Sequence, residues 1–274
     1  MDATTYRPPT AHAKVNDVAI RCFRDIGDGD YIAARLAMRA RLGSQFLWSA
    51  EQAVEKYLKC ILMLNRISTK DLDHDIERAL QLINTVLPFK ICLSAREQAI
   101  FEHLVPWNSD RYLVTSFHLM YEELLNLDML VWRLRQYCQP LDVEHYADVP
   151  SEKILLQNIK RIEAGLTGGA KNGHIGGGRL EQTLEDKNHP AREALIWKNF
   201  RYHPRQRKII AFPTGLQAVN APLYIYPEVA QEASKWMKIK GPFIEACNAL
   251  VRQRKKEARD AAKANGASLD RTTA

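Results

Sequence analysis

The stretch FLWSAEQAVEKYLKCILML, residues 46–64, sets the class of fold. Phe46, Ala50, Ala53, Tyr57, Ile61 and Leu64 recur at steps of three and four, the period of a helix with one face turned to a core. Glu55 and Lys59 stand four apart in the favourable acid-before-base order on its flank. A helix from about Ser44 to Asn65 follows.

The neighbouring segments also read as helices. Residues 1–15 are polar, carry Pro8-Pro9 and read as a loose arm. GDGD at 27–30 reads as a turn, with Asp30 capping a helix over YIAARLAMRARL. Downstream come a helix from about Asp73 to Val86, with Leu80 and Ile83 inward, and SAREQAIFEHLV from Ser94, which Pro106 ends. A long helix is predicted from Ser109 or Asp110 to about Tyr137. Nothing in this half alternates with period two, so residues 1–150 are expected to form an up-and-down helical bundle, and the chain to be mainly α.

On that long helix, Leu113, Phe117, Met120, Leu124, Leu127, Val131 and Leu134 share one face, which must enter the core. Arg111 and His118 are seven apart and so stack two turns apart on one line, roughly opposite that face. Thr115 and Glu122 flank the line, and Leu125 and Met129 continue it. A face polar at one end and apolar at the other invites a partner, and a symmetric dimer brings two Arg–His pairs together. The plain alternative is a solvated outward face.

The second half changes character. Residues 151–180 read as a linker, because GLTGGAKNGHIGGG (165–178) is dominated by glycine. It lacks the Gly-Lys-Ser/Thr ending of a phosphate cradle and follows no strand, which excludes that role. Residues 181–274 read as a smaller basic α+β module. AREALIWKNF is helical, RKIIAF (207–212) and APLYIY (221–226) are short strands around a Pro213–Gly215 turn, and helices follow at 228–237 and 242–264. Residues 1–151 hold 17 Lys+Arg against 20 Asp+Glu, a net of −3, whereas residues 152–274 hold 22 against 12, a net of +10. Excess positive charge confined to one half favours an acidic partner, of which nucleic acid is the commonest. Within FRYHPRQRK (200–208), Arg201, Tyr202, His203, Arg205, Arg207 and Lys208 combine basic and aromatic side chains suited to phosphates and bases. The other reading of that stretch is a charged loop leading into a strand. RQRKKEARDAAK (252–263) reads as a solvated helix face, since acids interrupt it.

The totals narrow the classes. No apolar run reaches the roughly 20 residues that cross a bilayer, and the first residues lack the basic cluster and apolar core of a secretory signal. The five cysteines are scattered without CxxC spacing, and the histidines lack metal-ligand spacing. A cytoplasmic, reduced protein is expected, with no metal, no cofactor and no membrane partner.

FLWSAEQAVEKYLKCILML, followed by HDIERAL (74–80) and DRYLVTSFH (110–118), resembles the HEPN superfamily of all-helical domains, found in toxins, antiviral effectors and partners of nucleotidyltransferases. The resemblance covers about residues 17–138. Many HEPN proteins are metal-independent endoribonucleases that use an Arg and a His with four to six residues between them, and Arg111 and His118 are separated by six. The resemblance therefore implies catalysis by Arg111 and His118, with Asp110, Tyr112, Thr115, Tyr121 and Glu122 in support. His118 would act as general acid or base and Arg111 would hold the scissile phosphate. Asp110 also suits a helix N-cap, and Tyr121 a packing role. Tyr112 follows the Arg where Asn, Asp or His is more usual, and an Arg-Tyr pair is common in HEPN proteins thought to bind rather than cut. Two readings stand. One is a homodimeric ribonuclease of a toxin–antitoxin or phage-defence system, meeting RNA and an antitoxin; the other is a non-catalytic scaffold docking a nucleotidyltransferase or other protein.

Overall fold

A computed structural model describes residues 9–108, 117–120, 122–143, 149–167, 174–203, 216–219, 222–237, 239 and 241–269. The chain is mainly helical, and among the described residues the sole strands are two short ones that pair with each other. It divides into two compact units. The first comprises Met1–Ser109 with Met120–Gly215, and the second Asp110–Leu119 with Leu216–Ala274.

In the first unit, α1 (Ala11–Ala19) runs through a π-helical turn (Ile20–Arg24) into α2 (Asp25–Arg39). Residues 11–15, expected in a loose arm, are thus helical, and Thr10 caps α1 by accepting from the Ala13 amide at 3.2 Å. GDGD is not a turn. It lies inside α2, where Asp30 pairs with Lys56 at 2.7 Å instead of capping the helix. A Cβ on Gly27 would stand 3.3 Å from the Ala53 carbonyl oxygen and the Lys56 Cβ. The glycine permits close approach to the next helix, which outweighs its low helix propensity.

That next helix, α3 (Gly43–Leu64), is the predicted one, with Phe46, Ala50, Ala53, Tyr57 and Ile61 fully buried. It packs against α2, against α4 (Ile76–Val86) and against α6 (Glu123–Gln136), so it forms the centre of the bundle. Asp75 caps α4 by accepting from the Arg78 amide, and Ser94 with Glu97 forms a capping box on α5 (Ala95–Leu104).

The long helix expected over 109–137 is corrected. Residues Phe117–Met120 form a strand, β1, and the helix begins only at Glu123. Its second half keeps the expected core face, with Leu124, Leu127, Val131 and Leu134 all buried. Phe117 suits a pleated strand as well as a helix, and pairing with a distant strand decides between them. α7 (Glu152–Thr167), α8 (Arg179–Glu185) and α9 (Arg192–Ile196) complete the unit. Residues 181–203 therefore belong with the bundle rather than with a separate module, and part of the expected linker is α7.

The second unit is small. β1 pairs with β2 (Leu216–Val219), followed by α10 (Pro222–Ile225), α11 (Ala230–Ala233) and α12 (Gly241–Leu269). Residues 222–225 are helical, not the strand expected over 221–226, and RKIIAF lies outside the described residues. Leu223, Ala230 and Cys247 make the core, with Met237 and Ile239 against it.

Candidate functional site

Of the sequence-predicted residues, Asp110, Arg111, Tyr112, Thr115 and Tyr121 lie outside the described residues, as do Arg205, Arg207 and Lys208. The backbone of His118 lies on β1, so the helical line that would have stacked it two turns from Arg111 does not pass through residues 117–120. Glu122 is exposed just before α6.

The FRYHPRQRK stretch divides. Tyr202 is fully buried, edge-on to Trp132 with centroids 5.2 Å apart. A base cannot stack on it, which corrects its expected role in nucleic-acid binding. Arg201 lies over the Trp132 ring at 5.4 Å, and His203 is half-buried.

Tyr202 lies against a buried ionic lattice that the sequence alone did not reveal, its ring 5.9 Å from the Arg135 guanidinium. Asp28 and Arg35 stand seven apart on α2, and Asp128 and Arg135 stand seven apart on α6. They pair reciprocally. Arg135 donates to both Asp28 carboxylate oxygens at 2.8 and 2.9 Å, and Arg35 forms an ion pair with Asp128. With Asp before Arg on each helix, this exchange requires α2 and α6 to run antiparallel.

All four side chains are buried, and their remaining polar atoms find partners except Asp128 Oδ2, which has none among the described residues. Arg135 also donates to Glu181 at 2.7 Å, and Glu181 accepts from the Ile175 amide. Tyr57 donates to Asp28, and Tyr31 donates to Asp128 at 2.6 Å. Arg35 donates to the backbone carbonyls of Ala194 and Trp197. The two arginines thereby fasten residues 175–203 onto the bundle. Both stay charged: burial opposes the charge, but Asp28 and Asp128 outweigh it and raise both pKa values. His174 sits at the edge of this lattice, 3.8 Å from Glu181. Burial pushes its pKa down, so it is mostly neutral at pH 7.

A second cluster lies on α3. Glu55 forms an ion pair with Lys59 at 2.6 Å and accepts from His74 at 3.0 Å, at the start of α4. One turn earlier, burial pushes the Glu51 carboxyl up to about 7, with Glu55 adding to the rise and the Gln52 amide opposing it. Glu51 is fully enclosed, which leaves it no contact with a substrate. A cleft of about 840 Å³ opens elsewhere on the first unit, lined by Asn16, Arg24, Gln139, Asn158 and Arg161 among others. Among the described residues no group of three or more His, Cys, Asp or Glu is placed to hold a metal ion, and no helix is long and apolar enough to cross a membrane.

In the second unit, α12 carries Arg252, Lys255, Lys256, Arg259 and Lys263, all exposed. At roughly 100° per residue they fall within a stripe about 100° wide. Asp260 lies beside its edge and Glu257 further round, so the acids that interrupt the run in sequence do not interrupt it in space. The signal that could have found the stripe is the spacing of its cations, at three, four, seven and eleven residues from Arg252.

Compared with family models, with curated proteins and with solved structures, the chain finds no match.

Proposed function

We propose that the chain is a HEPN-type, metal-independent endoribonuclease in which Arg111 and His118 cleave RNA. The observation that supports this reading best is the meeting of two segments that carry the resemblance. His74, from HDIERAL, bonds Glu55, from the middle of FLWSAEQAVEKYLKCILML, and Lys59 closes the link on the Asp73 carbonyl. The third segment ends on β1, shortly before α6.

The chemistry follows from the substrate. The 2′-hydroxyl of RNA attacks the adjacent phosphorus, and the bond to the 5′-oxygen breaks. A histidine titrating near neutrality moves the proton, taking it from the 2′-oxygen or giving it to the leaving oxygen. A guanidinium offsets the charge that grows on the phosphoryl oxygens. The products are a 2′,3′-cyclic phosphate and a 5′-hydroxyl. A role in a toxin–antitoxin or phage-defence system, and a homodimer that pairs two such sites, belong to the same proposal.

The strand at 117–120 favours a second reading, a non-catalytic HEPN scaffold that docks a nucleotidyltransferase or another protein, since it removes the helical alignment of Arg111 with His118. Incubating the protein with total RNA in chelator, beside Arg111→Ala and His118→Ala, separates the two. The nuclease reading expects cleavage by wild type that either substitution abolishes. RNA left intact by folded wild type favours the scaffold.

A further inference from the structure

We propose that the basic stripe of α12 is a docking surface for the phosphate backbone of single-stranded RNA. The five cations span eleven residues, about 16 Å of helix axis. Each is exposed, and among the described residues none of them forms an ion pair. From Arg252 to Lys263 the helix is exposed at every residue except Arg254, which stacks over Tyr224 at 5.2 Å and donates to the Tyr224 and Ile225 carbonyls. That one anchor leaves the stripe on the opposite side of the helix, facing outward. A run of like charges repels itself, and so exposed a segment has little core packing to offset this. A polyanion relieves the repulsion.

Three comparisons choose the occupant. A membrane-surface helix needs large apolar residues opposite its basic face, and beyond Val251 the only apolar residue type the helix offers is alanine until Leu269. A helical protein partner needs an apolar seam at steps of three and four, which the same segment lacks. RNA needs neither. Single strands are favoured over duplex because the same unit exposes Trp236 to 83% of its surface and Tyr226 to 57%. Bases of a single strand can stack on such rings, whereas bases in a duplex already stack on one another. The choice of RNA over DNA rests on the ribonuclease reading; the phosphate contact does not.

The test uses the full chain and a fluorescent 2′-O-methyl oligouridine of roughly twenty nucleotides, which the proposed chemistry cannot cut because its 2′-oxygen is blocked. Binding is measured across salt concentrations for wild type, for K255A/K256A/R259A and for the charge-matched control K153A/K160A/K187A. Circular dichroism verifies that each variant is folded. The stripe variant is expected to bind about tenfold more weakly, with the log–log salt slope reduced by about 2, near 0.7 for each phosphate no longer neutralised. The control should keep the wild-type affinity to within about twofold. Equal binding by wild type and the stripe variant overturns the proposal, as does equal weakening by the control, or a preference for phosphatidylserine vesicles over the oligonucleotide. Cleavage of ordinary RNA is scored separately. If wild type cuts but the stripe variant binds normally, the docking surface fails and the nuclease stands; the reverse pattern leaves the surface and removes the nuclease.

Discussion

Among single residues, Glu51 is the group whose titration the fold disturbs most usefully. Its carboxyl rises from an ordinary 4.5 to about 7, because burial disfavours the charged form. Between those values the folded protein holds a proton that the unfolded chain has released. The contribution to stability is therefore fully present below about pH 4.5 and is lost as pH rises through about 7. The loss amounts to about 3 kcal/mol at most. Glu51→Gln should accordingly stabilise the protein by about 1–3 kcal/mol at pH 8 and have little effect at pH 5, as read by urea unfolding at the two pH values. Equal effects at both would contradict the assignment. Arg135 behaves oppositely. Removing it strands Asp28 and Glu181 as buried charges, so Arg135→Ala should cost about 3–5 kcal/mol, measured by the same unfolding curves.

Between elements, the packing of α2 on α3 turns on two glycines that look alike in sequence. Gly27 faces the Ala53 carbonyl oxygen and Tyr57 at 3.3 Å, whereas Gly29 has nothing within 4 Å of where a Cβ would stand. Gly29→Ala should raise stability by about 0.5–1 kcal/mol through helix propensity alone. At Gly27 the same gain is opposed by crowding of about 1–3 kcal/mol, so Gly27→Ala should be neutral or destabilising. Thermal unfolding of the pair decides it, and a clear gain at Gly27 would refute the close approach. The same helices show how far the fold was legible in the sequence. The period from Phe46 to Ile61 identified α3, because a one-sided apolar face implies burial directly. GDGD looked like a turn because local propensity cannot register Ala53, which meets Gly27 only once the two helices have packed. The reciprocal lattice was half legible. Asp28 with Arg35, and Asp128 with Arg135, are matched charges seven apart, but nothing in either helix alone names the other as its partner.

Over the chain as a whole, the charge division read from the sequence holds its meaning only in part. Residues 174–203 carry some of the second half's basic charge, yet they belong to the first unit. Tyr202 illustrates why composition misleads: an aromatic among arginines suits RNA equally well whether it faces solvent or a core, and Trp132 takes it into the core. The stripe on α12 was hidden for the converse reason, since Glu257 and Asp260 break the run along the chain but not around the helix. β1 could not be anticipated from 109–137 alone, because its partner β2 begins only at Leu216.

The nuclease reading stands or falls on whether Arg111 and His118 cut RNA by attack of its own 2′-hydroxyl. Mass spectrometry decides this on the products formed in chelator from an otherwise DNA oligonucleotide that carries a single ribonucleotide. One cut is expected, 3′ to that ribonucleotide, leaving a 2′,3′-cyclic phosphate on one fragment and a 5′-hydroxyl on the other, and none with His118→Ala. An uncut oligonucleotide from folded, RNA-binding protein, or ends bearing a 5′-phosphate, would contradict it.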